Sequence, residues 1–395
     1  MGQKTCVAGV GMIQFTKPSA SATYVEMGAQ AVRQALLDAG LDYRHVQQAY
    51  AGYVYGDSTC GQSALYEVGL TGIPVINVNN NCSSGSTALY LARQAVESGA
   101  VDCALAFGFE QMQPGALNNV WTDRPLTMGK GFDVAHRVFP EGKDMPGALM
   151  FFGGAGREHM QKYGTTMETF AAIRAKASRH AARNPLAVFR KVVSTEEVMA
   201  DTVIWPGVMT RLMACPPTCG AAAALVVSEA FAKKHNLRTD VRILAQALTT
   251  DESNAFEPPS MIGAVGVGMT RSASRKVYEE AGVGPEDIRV CELHDCFAHN
   301  ELLTYEGLGF CPEGGAQKFV EDGDNTYGGQ VVVNPSGGLL SKGHPLGATG
   351  LAQCYELTHQ LRGTADERQV DGLHHALQHN LGLGGACVVT LYGRG

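Results

Sequence analysis

The sequence has no apolar run approaching the roughly 20 residues needed to span a bilayer, which argues against a membrane-spanning helix. It also has no basic excess. With 31 Lys and Arg against 38 Asp and Glu, a net charge of -7, it offers no broad positive field for nucleic acid or an anionic membrane surface. No cleavable leader pattern lies between Met1 and Phe15, and Gly2 is followed by Cys6 where an acylation signal wants Ser or Thr. Tyr392 to Gly395 is not a peroxisomal address. These absences lead to the expectation of a cytoplasmic protein without membrane insertion. Regular cysteine spacing is missing too. Eleven cysteines, an odd count, read as free thiols in a reducing compartment rather than as a disulfide framework.

What is present is a large globular chain. Hydrophobic residues make up 45% of the 395 and charged residues 17%, enough for two or three units sharing one core. The 48 glycines gather in short loops between apolar runs, where an enzyme brings backbone close to a ligand. Alternating strand and helix patterns give an α/β class, and the pattern occurs twice. Ala39-Gly40 and Ala281-Gly282 each stop a helix before a short turn and a strand. Cys82 to Ala88 opens a helix running to about Ser98, and His344 to Gly350 opens one to about Leu361, so Cys82 and Gly85 correspond to His344 and Gly347. Each half closes on a small-then-branched strand, from Gly220 and from Gly385. The expected division is 1–235 and 236–395, with an excursion over about 114–215 that covers the ligand.

Four stretches carry chemistry. Cys82 follows the strand residues Pro74 to Asn79 and precedes a helix, so unpaired N–H groups and the dipole should lower its pKa and receive an oxyanion. A plain packing cysteine at a strand–helix junction is the equally weighted alternative. Cys291, His294, Cys296 and His299 mimic metal-ligand spacing, but a strand over Ile288 to Leu293 would turn Cys291 away from His294 and leave His299 to the next helix. No metal is expected; His294 and Cys296 should face a cleft at a strand end. Asn334 to Pro345 is a glycine-rich approach to His344, where a helix start would keep the imidazole neutral and fit for a general base. His379, Asn380 and Gly382 lie in a glycine-rich turn that could supply further oxyanion N–H groups, or could be a plain loop.

Together these motifs resemble the thiolase family, in particular its sterol carrier protein x type. The resemblance rests on residues 54–62, 78–82, 292–297, 323–329 and 334–350, in that order, and runs from about Val7 to Tyr392. It implies a five-layered αβαβα fold of two similar halves with an inserted loop domain. It also implies a 3-oxoacyl-CoA thiolase with coenzyme A as substrate and no permanently bound cofactor, working as a homodimer. By the same resemblance Cys82 is the acyl-carrying nucleophile and His344 its base. His294 holds the thioester oxygen, Cys296 is the second acid/base, and the Cys82 and Gly382 amides form an oxyanion hole. One departure stands out: Cys215 to Gly220 reads Cys-Pro-Pro-Thr-Cys-Gly where relatives carry Ser-Asp-Gly, so Cys219 replaces an acidic residue. Two further readings remain open. One is a retro-aldol lyase on 3-hydroxyacyl-CoA with a small partner protein; the other is a non-catalytic acyl-CoA or lipid binder.

Overall fold

The computed structural model describes residues 2–115, 121, 123–142 and 144–395, so a few positions of the expected loop domain lie outside the described residues. Twelve strands are present among these. The first half carries β1 (Thr5–Met12), β2 (Gln48–Gly52), β3 (Val75–Val78), β4 (Cys103–Glu110), the short pair β5 (Val203–Trp205) and β6 (Met209–Thr210), and β7 (Gly220–Ser228). The second carries β8 (Val241–Thr249), β9 (Val290–Glu292), β10 (Val332–Val333), β11 (His375–Gly382) and β12 (Ala386–Arg394).

Ten of these strands follow the order β10-β9-β11-β12-β8-β1-β7-β4-β2-β3. Read outward from the middle, each half runs first, fifth, fourth, second and third strand, so the two halves share one topology. They join through a single bridge, Cys6 to Arg242. The duplication inferred from the sequence is therefore structural.

Layering follows from which faces are apolar. β1, β4 and β7 are buried along their whole length, as strands covered on both faces must be. The Tyr24–Ala39 helix covers the outer face of the first half. It starts on a Thr23–Glu26 capping box and stops at Gly40, whose φ of 67° suits glycine. The Val267–Ala281 helix covers the second half in the same way and ends on Gly282. Between the sheets lie the Ser84–Glu97 and Thr349–Arg362 helices. Ala88, Leu89 and Ala92 of one and Leu351, Ala352 and Leu357 of the other share a core with Val10, Ala224, Ile243 and Tyr392 from both sheets. This gives five layers.

Glycines set how close the halves come. An added Cβ at Gly85 would lie 2.5 Å from the Gly347 carbonyl oxygen, and one at Gly108 would lie 2.0 Å from it. The two glycines matched by the internal repeat thus face each other across the junction. The excursion emerges from the first half but docks on the second: Lys176 pairs with Glu301, His180 Nδ1 donates to the Asn334 carbonyl at 3.0 Å, and Glu158 accepts the Met261 N–H at 2.6 Å.

Candidate active site

The nucleophile corner begins where β3 ends. Asn81 turns the chain with a φ of 51°, and its N–H donates to Asn79 Oδ1 at 3.0 Å. Ser84 Oγ accepts the Asn80 N–H at 3.0 Å, locking the turn onto the helix start. Asn81 Nδ2 then reaches across to the Leu383 carbonyl at 2.9 Å, so a turn of the second half closes over the corner. Cys82 sits here, 8% exposed. Its thiol does not titrate as the sequence suggested. Burial, then the negative charge of Glu110, push it up to about 12, against hydrogen bonds from the amides of Leu383 and of Cys82 itself. Desolvation outweighs the helix end, and the sulfur keeps its proton until a base takes it.

That base is close. The Cys82 sulfur and one ring nitrogen from each of His294 and His344 lie within 4.8 Å of one another. His344 is not at a helix start, because its helix begins only at Thr349. It stands in the loop after the Gly338–Lys342 turn, held by its N–H to Thr218 Oγ1 at 2.6 Å and by Nδ1 to Thr349 Oγ1 at 2.7 Å. Burial first, and the Lys342 charge second, bring its pKa down to about 3. The ring is neutral at physiological pH, and Nε2 is buried with no hydrogen-bond partner among the described residues.

His294 meets the His344 ring edge-on, centroids 4.9 Å apart. Its Nδ1 is 3.0 Å from Asn380 Nδ2, while Asn380 Oδ1 accepts from Ser86 Oγ at 2.8 Å. The asparagine therefore donates to Nδ1, which leaves the His294 proton on Nε2. Burial, with His344 and His379 beside it, holds its pKa well below the usual value.

The expected glycine-rich turn needs correcting. His379, Asn380 and Gly382 belong to β11, and the turn follows at 383–385. Strand alternation then separates them. Asn380 faces the cleft layer and orients His294. His379 faces the other way, its Nε2 3.0 Å from Thr270 Oγ1 while Nδ1 accepts the His294 N–H at 3.4 Å. Gly382 passes under the nucleophile turn, where a Cβ would lie 2.1 Å from the Asn80 carbonyl. The second-half amide that reaches the Cys82 sulfur is that of Leu383.

Cys296 is buried beside Cys215 and Cys82, and burial followed by those two thiols lifts its pKa well above the usual value. Cys215, whose N–H donates to the Cys296 carbonyl at 2.8 Å, is a third thiol of the site that sequence reading did not single out. The strand end is braced by Asp295, whose oxygens accept the Leu339 and Leu340 N–H groups at 2.7 and 3.3 Å. Asn300 Nδ2 donates to the His294 carbonyl at 2.5 Å. Cys219 lies apart from this cluster: fully buried, its sulfur accepts the Met112 N–H at 3.1 Å.

Glu110 was also missed. It is fully buried at the end of β4, and its carboxylate accepts N–H groups from both halves. For metals, Cys82, His294 and His344 form the one such cluster found among the described residues. A thiol with two imidazoles suits a thiophilic ion such as zinc. Cys291 and His299 do not join it. His299 sits in the Ala298–Gly307 helix with Nε2 3.0 Å from the Val208 carbonyl.

The comparisons with known proteins agree with this geometry. Residues 5–204 match the model for the thiolase N-terminal domain and residues 259–392 that for the thiolase C-terminal domain. Sterol carrier protein 2 of Oryctolagus cuniculus is 54% identical, over 98% of this chain and 72% of that one. Among solved structures, the Ltp2-ChsH2(DUF35) aldolase superposes with a TM-score of 0.83 at 21% identity, over 99% of this chain and 98% of its own. Human mitochondrial 3-ketoacyl-CoA thiolase in complex with CoA gives a TM-score of 0.73 at 18% identity, over 100% and 98%. At these identities the structures speak for the fold, and the sequence relatives for the lineage. The chain belongs to the thiolase family.

Proposed function

We propose that the chain is a 3-oxoacyl-CoA thiolase that cleaves its substrate through an acyl-Cys82 intermediate, on fatty, branched or sterol-side-chain acyl groups. The observation that carries this is the Cys82 sulfur placed within 4.8 Å of two neutral imidazoles. His344 Nε2 takes the thiol proton, and the sulfur attacks the 3-keto carbon. The Cys82 and Leu383 amides receive the oxyanion, each such donor lowering the barrier by about 3 kcal/mol. The bond between C2 and C3 then breaks. The departing acetyl-CoA enolate is held at its oxygen by His294 Nε2–H and protonated at C2 by Cys296. Coenzyme A next gives its thiol proton to Cys296 and attacks the acyl-Cys82 thioester. Cys82 leaves as thiolate and recovers its proton from His344, which restores every group.

In the same proposal the halves 1–235 and 236–395 act as one catalytic unit, with the loop domain of about 114–215 covering acyl and pantetheine. Two copies pair along β3, an edge strand whose four residues are all half-buried. A reducing, cytoplasmic setting suits eleven free thiols, and no helix among the described residues is long and apolar enough to cross a membrane. The retro-aldol alternative with a small partner protein rests on fold likeness alone, whereas His294, Cys296 and His344 together supply both proton transfers of thiolysis. Incubation with a 3-oxoacyl-CoA and CoA should release acetyl-CoA only when CoA is present. Cleavage of a 3-hydroxyacyl-CoA without CoA, or full activity in Cys82→Ala, would contradict the reading.

A further inference from the structure

Glu110 is a buried carboxylate at the junction of the halves. Its Oε1 accepts the Tyr55 N–H at 2.8 Å, and its Oε2 accepts the Val54 N–H at 3.1 Å and the Gly347 N–H at 3.0 Å. The first two belong to the loop leaving β2 in the first half. The third belongs to the loop that carries His344 in the second. No basic side chain forms an ion pair with Glu110 among the described residues. A buried carboxylate without a counter-ion is costly, and here amides from both halves take up its oxygens.

We propose that Glu110 is a positioning residue. It clamps the His344 loop onto the first half through Gly347 and so sets where His344 stands against Cys82. The clamp works because Gly347 has no freedom to settle elsewhere: a Cβ there would lie 2.4 Å from the Gly52 carbonyl and 2.5 Å from that of Phe109.

The kinetic part rests on the thiolase reading; the structural part does not. Hydrogen exchange of a peptide covering residues 343–348, followed by mass spectrometry, tests the clamp. Glu110→Asp shortens the reach to the Gly347 N–H, so exchange there should rise roughly threefold or more while peptides of β1 and β7 match wild type. Glu110→Asp and Glu110→Gln should each lose about tenfold or more in kcat, with KM for the acyl-CoA changed much less, because a loosened His344 loop misplaces the base. Circular dichroism establishes that each variant is folded, and if Glu110→Gln fails to fold, Glu110→Asp decides. Wild-type kcat in Glu110→Asp, or unchanged exchange at residues 343–348, overturns the proposal. A wild-type protein without thiolase activity would remove the proposed reaction and still leave the exchange comparison to judge Glu110.

Discussion

Cys82 holds its proton more tightly than a free thiol because burial and Glu110 both oppose the thiolate. In the proposed mechanism activation falls to His344, whose neutral Nε2 is free to accept the proton among the described residues. His344→Ala should lower kcat by about a hundredfold or more without preventing acyl-CoA binding, checked by steady-state kinetics beside a direct binding measurement. Asn380 offers a subtler test. It fixes the proton of His294 on Nε2, so Asn380→Ala should release that tautomer and cost about tenfold in kcat, while Asn380→Asp should instead draw the proton to Nδ1. A full wild-type rate in both would remove Asn380 from the site.

The elements differ in how far their own residues announced them. Capped helices such as Tyr24–Ala39 and buried strands such as β7 were legible because local patterning and turn glycines specify them. Cys82, His294, Cys296 and His344 were legible because each sits in a short distinctive stretch. Glu110, Cys215 and Leu383 were not, because their roles arise from contacts between segments distant in the chain. Asn81 meets Leu383 across 302 positions, and Glu110 meets Gly347 across 237. The glycine-rich stretch at 379–385 read as a loop because small residues suit turns. Its first four residues are strand, since Gly382 must pass under the Asn80 carbonyl. The same close approaches give a stability prediction. Gly347→Ala should lower the melting temperature markedly, since backbone rather than a flexible side chain blocks its Cβ. Gly268→Ala, at the start of the Val267–Ala281 helix with nothing within 4 Å, should raise stability by up to about 1 kcal/mol.

The molecule as a whole buries several neutral imidazoles. Burial lowers His180, His344 and His379 to about 3 and His299 to about 4, against 6.5 when unfolded. The unfolded chain binds these protons first, so stability is fully present above about pH 6.5 and is lost as pH falls toward 3. Glu110 and Asp295 act in the opposite sense, since burial raises them to about 7 and 8; their contribution favours the folded state at low pH and fades as pH rises. The four histidines outnumber the two acids, so the urea midpoint should fall on acidification from about pH 6.5 to 4. A midpoint that rises over this range would mean that these imidazoles are not held neutral in the fold.

The central claim is that the first half supplies a sulfur and the second an imidazole to one acyl transfer. It is tested most directly by adding a 3-oxoacyl-CoA without free CoA and locating the acyl group by peptide mass spectrometry. The account predicts one acyl group on Cys82 in the wild type, removed on adding CoA, and little or none in His344→Ala. An acyl group on Cys215 or Cys296 instead, or acetyl-CoA released while Cys82 stays unmodified throughout, would contradict it.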